Sequence, residues 1–231
     1  MMMNEDKAFL KTADNSFTIF LPELNETYHS KHGAIQESMH VFIENGLKLN
    51  LKENNRVLEF GFGTGLNALL TAIFADENKE SIEYTSIEKF PLLTGEVEKL
   101  NYAASLAEKY DLQKEYVQDI FTKIHTSTWG EMVKISDNFS LKKIQSDFET
   151  IELKDRHYSA CYFDVFSIRV QPELWSESIM RKIYESLQNN GLFITYACNA
   201  TLKKNLSMVG FEYMKKNGPI GRRDMTIAWK K

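Results

Sequence analysis

Four acids and three glycines stand at the points of this sequence where chemistry is most easily built. Glu59 lies in the apolar run Arg56–Phe60 (RVLEF), which leads directly into Gly61-Phe62-Gly63-Thr64-Gly65. Glycine lets the backbone turn tightly and lets a ligand approach the main chain with no Cβ in the way. A helix starting after such a turn presents free N–H groups. A dinucleotide loop needs G-x-G-x-x-G, but Leu66 occupies the sixth position, and the Gly-Lys-Ser/Thr of a P-loop is missing. What remains is acid-x-G-x-G-x-G. Glu88 ends the next strand-like run, Ile82–Glu88 (IEYTSIE), where a carboxylate can accept hydrogen bonds from both ribose hydroxyls of a nucleoside. Asp147, with Phe148 beside it, follows Gln145-Ser146 and could meet an adenine amino group. Asp164 closes the apolar run Tyr158–Phe163 (YSACYF). A carboxylate there can orient an amine, stabilise a developing ammonium and accept its proton. The structural alternatives are a ligand-free turn at the glycines, a solvated acid at Glu88 and a capping Asp at 164.

These residues need a scaffold that gathers strand ends. Ala8 to Phe20 reads as two short strands around Asp14-Asn15, and roughly Ala34 to Leu47 as a helix. From Arg56 onward strands and helices alternate. Leu66–Ala75 and Pro91–Glu108 read as helices, and Leu112 to Gly130 contains another. Met132–Ile135 and Leu141–Gln145 can pair across Asp137-Asn138. Pro172–Leu187 reads as a helix, Gly191–Tyr196 (GLFITY) as a strand and Leu202–Met208 as a short helix. Phe211–Lys215 and Asp224–Trp229 suit a closing antiparallel pair. Repeated βα units predict a mostly parallel sheet covered on both faces, with ligands at the carboxyl ends of its strands.

The loop with its leading acid resembles motif I of the class I methyltransferases, whose cofactor is S-adenosyl-L-methionine. A second stretch narrows the resemblance. From Asp164 the chain reads DVFSIRVQPELW, and the methyltransferase half of the MnmC tRNA-modifying proteins reads D-G-F-A-P-x-x-x-P-x-[LM]-W. Glu59 to Asn67 is similar to that family's loop, which ends G-F-G-T-G-L-N. Gly221-Arg222-Arg223-Asp224-Met225 resembles its G-[KR]-x-[RK]-[ED]-M. Tyr28-His29-Ser30 and Gln36-Glu37-Ser38 occupy the place of its Y-x-S…E-[TS]. The resemblance covers roughly residues 17 to 229.

The resemblance implies a class I methyltransferase Rossmann-like α/β fold over 51–231. Its sheet would be mostly parallel and seven-stranded, with an antiparallel C-terminal strand. Residues 1–50 would form a hairpin-and-helix extension packed on the core. It implies Asp164 as the catalytic acid and Glu59, Gly61, Gly63, Gly65, Asn67, Glu88, Asp147 and Phe148 as cofactor-binding. Tyr28, Ser30, Glu37, Phe166, Arg222 and Arg223 would bind substrate: the aminomethyl group of a modified wobble uridine in tRNA. Val165 stands where the family has glycine, and Ser167-Ile168 where it has Ala-Pro. Losing that proline is expected to loosen the substrate loop. The family's flavin-dependent oxidase half has no counterpart, so the chain is expected to receive the aminomethyl form ready-made.

Composition sets the outer limits. The chain has 231 residues, 43% of them hydrophobic, which suffices for one well-buried domain. No apolar run reaches the roughly 18–20 residues that span a bilayer. The stretch Met1 to Phe9 carries acids and no apolar h-region, so it does not read as a secretory signal. Cys161 and Cys198 lack a second pair to complete a zinc site and read as buried free thiols of a cytoplasmic protein. The loosely clustered His29, His32 and His40 lack a ligand spacing, and no metal is expected. A net charge of -4 does not advertise nucleic acid. Local pairs such as Lys142-Lys143, Lys203-Lys204 and Arg222-Arg223 read as solvated faces unless a nucleic acid uses them. Trp129, Trp175 and Trp229 read as packing residues. Rival readings are a methyl- or aminopropyltransferase acting on a small-molecule amine, and a non-catalytic RNA-binding module with the same fold. Salt-sensitive tRNA binding separates the first, and methyl transfer to any RNA the second.

Overall fold

The computed structural model describes residues 7–231; residues 1–6, most of the stretch discounted as a signal, lie outside the described residues. The chain opens with an antiparallel hairpin, β1 (Ala8–Lys11) and β2 (Phe17–Leu21), to which β3 (Glu26–Thr27) adds along β2. Its turn is closed by Asp14, whose carboxylate accepts from the hydroxyls of Thr12 and Ser16. Helix α1 (Ala34–Ser38) runs on as a π-helical stretch, Met39–Glu44, and turns Ile35, Val41, Phe42 and Ile43 into the core.

The alternating part follows: β4 (Asn55–Phe60), α2 (Leu66–Asn78) and β5 (Ile82–Glu88). The helix expected over Pro91–Glu108 is two, α3 (Thr94–Val97) and α4 (Tyr102–Tyr110). The break at Asn101 has a tertiary cause. Its side-chain oxygen accepts from the Phe17 amide at 2.9 Å, and its nitrogen donates to the Asn15 carbonyl at 2.9 Å. Then come α5 (Lys114–Thr126), β6 (Met132–Lys134), β7 (Phe139–Gln145) and β8 (Tyr158–Phe163). The helix expected over Pro172–Leu187 is also divided. Pro172–Trp175 forms a 3₁₀ turn, and the backbone resets at Ser176 before α6 (Glu177–Ser186). Trp175 forces the reset: its indole N–H donates to the Phe166 carbonyl at 3.0 Å and its carbonyl accepts from Asn205 at 2.7 Å. The chain ends with β9 (Leu187–Thr195), α7 (Ala200–Val209), β10 (Phe211–Asn217) and β11 (Asp224–Lys230).

The main sheet runs β10-β11-β9-β8-β4-β5-β7-β6. Strands β9, β8, β4, β5 and β7 are parallel, whereas β11, β10 and β6 run antiparallel to their neighbours. The sheet thus has eight strands, not seven; the extra one is β6, the first arm of the hairpin across Asp137-Asn138. Period-two alternation splits the apolar side chains between two cores. Val57, Tyr162 and Ile194 face the hairpin, α2, α4 and α5, while Leu58, Cys161, Phe163 and Phe193 face α6 and α7. Cys198 is a free thiol but only partly buried, unlike Cys161. Among the described residues no helix is long and apolar enough to cross a membrane.

Successive strands are added on both sides of β4: β5 and β7 one way, β8 and β9 the other. The strand order therefore reverses between β4 and β8, and a crevice opens beyond their carboxyl ends.

Candidate active site

The loops leaving β4 and β8 interlock at that crevice. The Asp164 amide donates to the Phe60 carbonyl at 3.0 Å, and the amides of Gly61 and Phe62 both donate to Ile87 at the end of β5. Gly61 has φ +94°, and a Cβ there would lie 2.2 Å from the Asp164 carbonyl oxygen. No side chain fits between the two loops. Gly63 has φ +50°, and its missing Cβ faces the Tyr28 ring at 3.1 Å. Glu88 closes the other side: one carboxylate oxygen accepts from the Gly63 amide at 3.0 Å, the other from the Phe90 amide at 2.8 Å. The acid at the end of β5 thus reaches across to the glycine loop.

Beneath the loop lies a run of polar groups. Glu59 is buried, accepting from Ser86 Oγ at 2.5 Å and Asn67 Nδ2 at 3.0 Å. The same Asn67 nitrogen donates to Asp164 Oδ2 at 2.8 Å. Burial raises the Glu59 carboxyl to about 8, against the two hydrogen bonds that favour its ionised form. Asp164 is pushed up to about 7, first by burial and then by the Glu37 carboxylate; the Asn67 hydrogen bond and Arg222 act in the opposite sense. An acid poised there can take a proton near neutral pH.

Around Asp164 the N-terminal extension and the late strands meet. Arg222 Nε donates to Glu37 Oε1 at 3.0 Å, and its guanidinium lies 4.3 Å from the centroid of the Tyr196 ring. The other Glu37 oxygen accepts from the Ser30 amide at 2.8 Å. Tyr28 packs edge-on against Phe166, with ring centroids 5.3 Å apart. His29 is buried with Nε2 2.8 Å from Thr64 Oγ1, and burial lowers its imidazole to about 4, which keeps it neutral.

The loop after β8 is not slack, although Ser167-Ile168 stands where the resembled family has Ala-Pro. Glu26 Oε1 accepts from Ser167 Oγ at 2.7 Å and from Arg169 at 2.9 Å. The Tyr196 hydroxyl donates to the Val165 carbonyl at 2.8 Å, and Trp175 holds Phe166. The serine that replaces alanine supplies part of this staple. Val165 does not adopt a positive φ, so its side chain is no strain there.

These elements enclose a cavity of about 250 Å³. Tyr28, Glu37, Gly61, Gly63, Glu88, Asp147, Phe148, Asp164, Phe166 and Arg222 line it. Ser30, Glu59, Gly65, Asn67 and Arg223 do not. Glu59 and Asn67 lie behind the wall, Gly65 packs towards His125, and Ser30 uses its amide to hold Glu37. Asp147 is drawn into an ion pair with Lys89 at 2.5 Å, which lowers its carboxyl. Phe148 packs on Phe60, with centroids 5.2 Å apart. Glu26, His29, Ser167 and Tyr196 also line the cavity, and the sequence reading assigns them no site role. Tyr196 follows a strand end, the position where such residues are to be sought.

The pair Lys142-Lys143 is not a solvated face. Lys143 is buried, donates to the His125 carbonyl at 2.8 Å and lies 4.9 Å from the Trp129 ring centroid. Burial lowers its ammonium to about 8. Trp129 in turn packs against Phe62 of the glycine loop. Among the described residues no group of three or more His, Cys, Asp or Glu side chains is arranged to hold a metal.

The donor set defines the ligand. Seven carboxylates line the cavity against two cations, Lys89 and Arg222, both engaged in ion pairs. A pyrophosphate would be repelled there. S-adenosyl-L-methionine, with its ammonium and sulfonium, fits this set, and Gly61 and Gly63 leave main chain exposed beside it.

Comparison with known proteins agrees. A family model described as S-adenosyl-L-methionine-dependent methyltransferase matches residues 108–231. The chain is 28% identical over 223 residues to the tRNA 5-methylaminomethyl-2-thiouridine biosynthesis bifunctional protein MnmC of Cupriavidus metallidurans, covering 93% of this chain and 33% of that protein. The corresponding protein of Actinobacillus pleuropneumoniae is 29% identical over 227 residues, covering 88% and 32%. An uncharacterised protein of Methanocaldococcus jannaschii is 26% identical over 230 residues, covering 99% and 61%. The chain therefore spans about a third of the bifunctional relatives it matches. The crystal structure of MnmC2 from Aquifex aeolicus superposes with a TM-score of 0.77 at 24% identity, over 99% of this chain and 71% of that one. The fold is shared.

Proposed function

The chain belongs to the S-adenosyl-L-methionine-dependent methyltransferases, and from that premise we propose that it methylates the aminomethyl group of a modified wobble uridine in tRNA. The observation that carries the reading is Asp164: a partly buried carboxyl held at about 7, set between the glycine loop and the substrate loop. A carboxyl at its ordinary value would be too weak a base for an ammonium; one near 7 is matched to the task.

When bound, the cofactor supplies a methyl group on a cationic sulfur. The chain's residues do the rest. Gly61 and Gly63 present bare main chain, Glu88 would accept from the ribose hydroxyls, and Asp147 with Phe148 would meet the adenine. Tyr28 and Phe166 wall the acceptor side and exclude water. An amine attacks only when neutral, so Asp164 takes its proton onto a carboxylate oxygen. Asp164 is then neutral, and the Glu37 carboxylate is the group left to favour the cationic product.

The MnmC relatives, by name, serve the biosynthesis of 5-methylaminomethyl-2-thiouridine in tRNA, and that supports the choice of acceptor. A second reading, a small-molecule amine as acceptor, draws on the acidity of the cavity itself. Mass spectrometry of tRNA nucleosides from cells with and without the gene separates them. Loss of a methylaminomethyl uridine, with its unmethylated precursor accumulating, is the result expected; an unchanged nucleoside profile would favour the small amine.

A further inference from the structure

Asn67 lies in the first turn of α2, two residues after Gly65, and its place suggests a residue that touches the cofactor. The geometry points elsewhere. We propose that Asn67 is a positioning residue, whose side-chain amide, anchored on Glu59, aims the carboxylate of Asp164. The proposal rests on the reading of Asp164 as proton acceptor.

A single amide nitrogen has two hydrogens. Asn67 Nδ2 spends one on Glu59 Oε1 at 3.0 Å and the other on Asp164 Oδ2 at 2.8 Å. An ionised carboxylate can only accept, so the amide turns its nitrogen, not its oxygen, to Asp164. The amide is buried and does not line the cavity, and its own oxygen has no partner among the described residues. Leaving a buried carbonyl oxygen bare is unfavourable, and the arrangement persists because two donors are needed on the other side. Glu59 is fixed in turn by Ser86 from β5. The chain of contacts therefore runs from the sheet, through Glu59 and Asn67, to one oxygen of Asp164, and leaves the other oxygen for the acceptor.

Four groups bear on the charge of Asp164: Asn67 from α2, Glu37 from α1, Arg222 from the turn before β11 and, across the shared amide, the Glu59 carboxyl of β4. Arg222 is already committed to Glu37, so the Asn67 amide is the one direct donor to the Asp164 carboxylate among the described residues. A hydrogen bond to the charged form lowers a carboxyl's pKa, and removing it raises that value.

The test is a carboxyl ¹³C NMR titration of Asp164, with no acceptor present, in the parent and in Asn67→Leu and Asn67→Ser. The parent midpoint is expected near 7. In Asn67→Leu it should rise by about one to two pH units, and in Asn67→Ser by less. Affinity for S-adenosylhomocysteine should stay within about twofold, while methyl transfer at neutral pH falls about ten- to a hundredfold. An unmoved midpoint, or a loss of cofactor affinity as large as the loss of rate, overturns the proposal. The parent alone gives a check that no folding failure can spoil: the Asn67 side-chain amide resonances must titrate with the Asp164 midpoint, and amide signals indifferent to that transition also overturn it. If the parent shows the coupled titration but methylates no aminomethyl uridine, the proposed substrate fails and the positioning role stands.

Discussion

Asp164 and Glu88 share one cavity yet should fail in different ways when altered. Glu88 holds the glycine loop through the Gly63 amide, and the proposed reading gives it the ribose. Glu88→Ala should weaken S-adenosylhomocysteine binding by about 1–3 kcal/mol, as charge-assisted hydrogen bonds are lost; calorimetry giving parent affinity would remove it from the cofactor site. Asp164 carries a stability signature as well. Its carboxyl sits at about 7 in the fold against an ordinary 3.8. A carboxyl raised on folding stabilises fully below its unfolded value, and that contribution is lost as pH rises through the folded value. Asp164→Asn is neutral at every pH. The cofactor-free variant should therefore exceed the parent at about pH 8 by on the order of 1–2 kcal/mol, with the difference shrinking towards about pH 4. Denaturant unfolding at both pH values reads this, and an equal difference at both would show that the carboxyl is not perturbed. The sequence marked both acids because each directly follows or ends a strand. It did not show that Asn67 and Glu59 sit behind the cavity wall, since contacts between β4, α2 and the loop after β8 have no local pattern.

At the level of elements, the hairpin extension matters most where the chain departs from its relatives. Glu26, in β3, staples Ser167 and Arg169 of the substrate loop. Glu26→Ala should lower kcat/KM for the acceptor by about ten- to a hundredfold and leave cofactor affinity alone. Steady-state kinetics that match the parent would mean the loop needs no staple. Strands β5 and β8 begin and end where their apolar runs do, because nothing competes with a buried parallel strand. The helices were less legible. Asn101 and Ser176 interrupt continuous helical patterns, and both breaks come from hydrogen bonds to distant segments. Lys143 was a missed local signal: it shares the inward phase of Phe139 and Leu141 along β7, and alternation alone would have buried it. The sheet was undercounted because β6 is a short edge strand whose pairing shows only as a hairpin.

At the scale of the whole molecule, a chain of net charge -4 must gather its cations locally to hold tRNA. Arg222 is committed to Glu37 and Tyr196, so its loss should impair the site more than the salt response. On the proposed reading Lys203 and Lys204 on α7, with Arg223, would be the better phosphate ligands. Replacing all three by alanine should flatten the slope of log affinity against log salt by about 0.7–0.9 for each phosphate that is no longer neutralised. A slope equal to the parent's would place the tRNA on another face.

The central claim is that this site removes a proton from an amine of tRNA and methylates it, with Asp164 as the acceptor of that proton. The most direct measurement is transfer of labelled methyl to tRNA carrying 5-aminomethyluridine, by the parent and by Asp164→Asn, with S-adenosylhomocysteine affinity measured alongside. The account predicts transfer by the parent, a loss of about 10²–10⁴-fold in the variant, and nearly unchanged cofactor affinity. Turnover of the variant within a few-fold of the parent, or no transfer to this tRNA by a parent that binds the cofactor, would contradict it.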